Sequence, residues 1–162
     1  MTWFWRQRSR FTHDPAAHTP GAAPAQPRTL VEVLGIGRTQ TTNGVALTLL
    51  SLERYHEGDV VTFRVSSRRG LHADYPSPEL FIKVGPSGST ETPRFSMAGG
   101  GGGGGGQALE FRYYFGVSPA MPDDATDWVV EVAKIEWVSP YRSGERRVAR
   151  VDQGPWRFVI RP

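Results

Sequence analysis

The chain contains no cysteine, so disulfides, thiolate nucleophiles and cysteine-ligated metals are all excluded. Long apolar runs are also lacking. Nothing approaches the roughly 20 consecutive apolar residues that cross a bilayer as a helix. The opening "MTWFWRQRSRFTHD" lacks the apolar core of about 7–15 residues that marks a secretory leader. These two shortages set an expectation of a cytoplasmic chain. Lysine is scarce too: of 19 cationic side chains only Lys83 and Lys134 are lysines. The four histidines, His13, His18, His56 and His72, are scattered. No two have the spacing that would place both on one helix turn or one strand face as metal ligands. No cofactor, metal site or catalytic set is expected.

The charge that is present is uneven. The net charge of +3 resides in the first 30 residues, where Arg6, Arg8, Arg10 and Arg28 face Asp14 alone; beyond them the two signs balance. A nucleic-acid-binding domain needs clustered cations to neutralise phosphates, and the balanced remainder argues against one. Residues 1–28 combine "TWFWRQRSRF" with a Pro- and Ala-rich stretch and lack the apolar period of a folded element. They are expected to form a disordered tail. Trp3, Phe4, Trp5, Arg6, Arg8 and Arg10 are the tail's candidates for contact with a membrane surface or a partner, since aromatics and arginines suit that interface. A mobile terminus, or a start site set inside a longer protein, is the alternative.

From residue 29 to 162 the dominant period is two. Val61, Phe63 and Val65 alternate with Thr62 and Arg64, and Leu80, Ile82 and Val84 recur at every second position on one face. The same period of two places Leu109, Phe111, Tyr113 and Phe115 on one face, and Trp156, Phe158 and Ile160 on another. Such alternation is the signature of half-buried strands. Asn43-Gly44 reads as a tight hairpin turn, and His56–Asp59 as a second turn. In "DWVVEVAKIEWVSP" the apolar face passes from Trp128, Val130 and Val132 to Ala133, Ile135 and Trp137. One extra residue does that, which predicts a bulge near Val132–Ala133. A similar change falls near Leu49–Leu50. Ser118–Asp127 is the only place for a short helical turn. The sum is an all-β sandwich of about seven or eight strands, with a small barrel as the competing closure.

Three segments carry a resemblance. "TNGVALTLLSLERYHEGDVVTFRV" resembles the opening hairpin of uncharacterised bacterial immunoglobulin-like domains. "YYFGVSPAMPDDATDWVVEVAKIEW" is similar to a middle segment of theirs, and "RVDQGPWRFVIRP" to their closing strand. Related domains include ectodomains of anti-sigma-related proteins and glycine-loop proteins of actinobacteria. The resemblance spans roughly residues 38–161. It implies an immunoglobulin-like β-sandwich and supplies no catalytic residues.

The eight glycines Gly99–Gly106 formally contain G-x-G-x-x-G. That motif cradles phosphate only between a strand and a helix, and the strand-like "QALEFRYYF" follows here. Ordering eight glycine backbones would cost on the order of 10 kcal/mol, so a flexible polyglycine loop is expected over 99–106. Among other candidates, Arg68, Arg69, His72, Asp74 and Tyr75 form the nearest approach to a ligand site, in one loop. Asp123, Asp124 and Asp127 read as turn formers. Arg146, Arg147 and Arg150 read as a solvated hairpin face. Three functions stay open: a non-catalytic binding or accessory module for an unknown protein partner, a ligand-binding or enzymatic domain built on the 68–78 loop, and a membrane-surface protein using residues 3–10.

Overall fold

The computed structural model describes residues 29–68, 76–86, 94–105, 108–118, 120–121, 127–139 and 146–161. The expected tail, residues 1–28, lies outside them, as does most of the expected helical turn over 118–127. Eight strands are present: β1 Leu30–Thr42, β2 Val45–Tyr55, β3 Gly58–Ser67, β4 Ser77–Pro86, β5 Arg94–Gly105, β6 Ala108–Ser118, β7 Trp128–Ser139 and β8 Arg147–Ile160. They form a five-stranded sheet, β1-β2-β3-β6-β5, and a three-stranded sheet, β4-β7-β8, with every neighbouring pair antiparallel. Among the described residues there is no helix, and so none long and apolar enough to cross a membrane.

The alternating residues form the core between the two sheets. Leu47, Leu49, Phe63 and Val65 come from one sheet, and Val130, Val132, Trp137 and Trp156 from the other; all are fully buried. Aromatic rings join the layers. Phe63 meets Phe158 at 6.4 Å between centroids, and Phe111 meets Trp137 edge-on at 6.2 Å.

Both expected parity changes are bulges. In β2 the partners of β3 step from Leu49 to Ser51, leaving Leu50 unpaired, and the buried face moves from Leu49 to Leu52. In β7 the register shifts between Val132 and Lys134 with both neighbours: Ala133 is the extra residue against β4, while β8 spans the same step with Gly154 and Pro155, and Ile135 and Trp137 turn inward. A Cβ on Gly154, in β8 beside this bulge, would lie 2.5 Å from the Val132 carbonyl oxygen. Asn43 and Gly44 have φ of 53° and 78°, as the turn between β1 and β2 requires.

One expectation is corrected. The glycine run is not a flexible loop: Gly99–Gly105 belong to β5 and pair residue by residue with β6, from Gly99 opposite Tyr114 to Gly105 opposite Ala108. Gly106 lies outside the described residues. Ordering glycine backbone is costly, but two compensations carry no signature within the run. One is the hydrogen-bonded ladder to β6. The other is aromatic cover supplied by β6.

Candidate functional site

The residues that the sequence nominated are only partly in view. Arg69, His72, Asp74 and Tyr75 lie outside the described residues, as do Trp3, Phe4, Trp5, Arg6, Arg8 and Arg10. Arg68 is exposed at the end of β3. Of the three aspartates, Asp123 and Asp124 lie outside the described residues, and Asp127 pairs with Arg161 at 3.0 Å.

Of the three arginines expected on a solvated face, Arg146 and Arg147 are exposed and Arg150 is half-buried. Arg146 bridges Glu79 of β4, at 2.7 Å, and Glu136 of β7. Those two carboxylates lie directly opposite each other in the β4–β7 register, where like charges repel; the guanidinium between them removes the conflict. Burial alone would raise the Glu136 carboxyl. Hydrogen bonds from Lys134 and Arg146 overcome it and hold the group below the usual carboxylate range. Arg150 stacks over the Trp137 ring at 4.6 Å and pairs with Asp152 at 2.8 Å. It also donates to the Ser67 hydroxyl at 3.0 Å, while the Trp137 indole N–H donates to Asp152 at 2.7 Å. Both clusters fasten strands to one another, β4 to β7 to β8 and β8 to β3. Their polar atoms face protein partners, which is the geometry of a structural network.

A sheet edge is the more informative feature. Four strands, β1, β4, β5 and β8, end the two sheets. An unpaired edge templates association with other chains, so folded proteins obstruct their edges. β8 is obstructed by side chains of β1. The Gln40 amide donates to the Arg157 carbonyl at 2.5 Å and accepts from the Arg157 N–H at 2.7 Å, as a neighbouring strand would. Arg38 donates to the Val159 carbonyl at 2.9 Å alongside. β1 is broken by two register shifts, between Leu30 and Glu32 and between Gly35 and Arg38. β4 carries Pro78, Lys83 and Pro86, residue types that blunt an edge.

β5 carries none of these over its glycine stretch; its one register shift, between Met97 and Gly99, precedes the paired glycines. Along Gly99–Gly105, among the described residues, nothing is paired with the outer edge, and the glycines themselves put no side chain on it. The inward glycines have a packing reason. A Cβ on Gly100 would lie 2.3 Å from Cδ1 of Tyr113, and one on Gly102 would lie 2.5 Å from Cδ1 of Phe111 and 2.3 Å from the Glu110 carbonyl oxygen. The rings of Phe111 and Tyr113 stack at 6.2 Å with a 12° interplanar angle, and they occupy the room that β5 side chains would fill. Aromatic cover of a cross-strand glycine is a known way to hold such a strand in register. Burial, and then the charge of Glu79, push the Tyr113 phenol well above its ordinary range.

Gly101 has no such reason. A Cβ there would meet nothing within 4 Å. Packing permits a side chain at this outward position, yet none is present. Its absence leaves both the outer face and the edge open to close approach by another backbone.

Sequence reasoning missed this edge because glycine has no side chain to display a period. The one available signal was the aromatic alternation Phe111, Tyr113, Phe115 immediately after the run.

No family model matches the chain, and no curated protein matches it. Among solved structures, a conserved domain protein from Bacillus anthracis is similar, with a TM-score of 0.58 at 12% identity. The alignment covers 80% of this chain and 48% of that one, so the chain spans about half the length of this neighbour. At this identity the likeness concerns the fold.

Proposed function

We propose that the chain is a non-catalytic, immunoglobulin-like binding module that takes an extended strand of a protein partner along the outer edge of β5. The observation that carries this reading is Gly101: a position with open space and no side chain, on an edge left bare while the others are obstructed or broken. An added strand would pair with the free backbone groups of β5. Its affinity would come from main-chain hydrogen bonds, the mode known as strand addition. It would also extend a sheet whose glycines already bear the ordering cost.

The test is capture by the immobilised chain from a native lysate, wild type against Gly101→Lys combined with Gly103→Lys. Strand alternation puts both positions on one face, and lysines on an edge discourage strand addition. A matched thermal midpoint establishes that the variant is folded. The expected result is a retained protein that the variant loses. Retention of the same proteins by both forms would overturn the proposal.

A further inference from the structure

We infer that the strand received by the β5 edge is β5 of a second copy of this chain, paired antiparallel about a two-fold axis at Gly102. This rests on the edge reading above and names its occupant.

On β6, Arg112 lies opposite Gly101, Phe111 opposite Gly102 and Glu110 opposite Gly103. Arg112 and Glu110 are exposed on the outer face, while Phe111 is buried on the inner one. An antiparallel pair centred on Gly102 sets Gly101 of one copy against Gly103 of the other. Each outer row then runs Arg112, Gly101, Gly103, Glu110, with the last two from the second copy. Both symmetry-related rows place a cation opposite an anion. Three strand spacings separate the end residues by roughly 14 Å between Cα atoms. Extended arginine and glutamate side chains span that distance tip to tip, and the intervening residues have no side chains to block them.

Arg112 also lacks a counterion among the described residues. Its direct neighbour on β3 is Arg64, a like charge, and Arg64 pairs with Glu110 at 3.4 Å. Among the described residues Arg112 has no acidic partner. The second copy supplies one. On the inner face, the central row runs Phe111, Gly102, Gly102, Phe111, so the two rings lean toward each other over the glycines at the axis. A two-fold arrangement uses the same patch on both copies and closes on itself, so it consumes the bare edge without leaving another.

Analytical ultracentrifugation from roughly 1 µM to 1 mM chain tests this with four samples: wild type, Arg112→Glu, Glu110→Arg, and an equimolar mixture of the two variants. Wild type should dimerise. Each reversal puts like charges in both rows and should weaken the dimer roughly ten-fold. In the mixture, a heterodimer sets the carboxylate introduced at position 112 of one copy against the guanidinium introduced at position 110 of the other. Its second row keeps the native pair, Glu110 against Arg112, so association should recover. A monomeric wild type, unchanged association in the single variants, or no recovery in the mixture would each overturn the inference. The broader edge reading is judged separately by the lysine variant. If wild type is monomeric yet the lysine variant still loses its captured protein, the second copy is wrong and the edge stands. If neither sample shows an effect, both fall.

Discussion

Asp152 shows how much a single buried carboxylate is made to carry. It is 4% exposed, accepts the Trp137 indole N–H and pairs with Arg150. Asp152→Ala leaves a half-sheltered guanidinium and a buried indole donor without that partner. A loss of about 3–5 kcal/mol in urea unfolding is expected, and Asp152→Asn, which retains an acceptor, should lose less. Equal losses in the two variants would show that the charge, and not the acceptor alone, carries the effect. Tyr113 gives a second residue-scale prediction through pH. Its phenol is raised in the folded state, while an unfolded tyrosine ionises near pH 10. Above about pH 10 the unfolded chain therefore binds fewer protons, and stability falls as pH rises. Tyr113→Phe should flatten the drop in thermal midpoint between about pH 8 and 11; an unchanged slope would contradict the burial of the hydroxyl. Little of this was legible in the sequence. Trp137, Arg150 and Asp152 are ordinary residues in a hairpin, and only the pairing of β7 with β8 brings them together. Buried acids are invisible to a periodicity argument, because they occupy positions that look solvated.

At the scale of elements the sequence was most readable where side chains alternate and least where there are none. The bulges at Leu50 and Ala133 were expected from parity alone, because one extra residue moves every following side chain to the opposite face. Asn43-Gly44 was readable because φ is positive at both residues. β5 was misread because seven of its residues are glycine with no face to alternate. The strand assignment makes a contrast that a loop does not. Gly102→Ala must displace the Phe111 ring and meets the Glu110 carbonyl; it should lower stability by about 1–3 kcal/mol. Gly101→Ala meets nothing within 4 Å. It should be neutral or raise stability by up to about 1 kcal/mol, by restricting the unfolded chain. Equal effects of the two substitutions on the thermal midpoint would argue for a loop.

For the whole molecule, the sandwich is closed unevenly. Along one side Gln40 and Arg38 of β1 satisfy the backbone of β8. At β5 the larger sheet ends, among the described residues, in glycine backbone with no further strand beside it. The fold class followed from the turn spacing and the alternation, but the inequality of the edges did not, because it depends on which strand ends each sheet. The open edge exists only if the glycine run is an ordered strand paired with β6. Amide exchange and cross-strand contacts measured by NMR on the full chain test that directly. β5 should show slow exchange at alternate glycines among Gly99–Gly105 in the monomer, with backbone contacts between Gly102 and Phe111. Random-coil exchange at every one of these glycines, with no contact to β6, would contradict it.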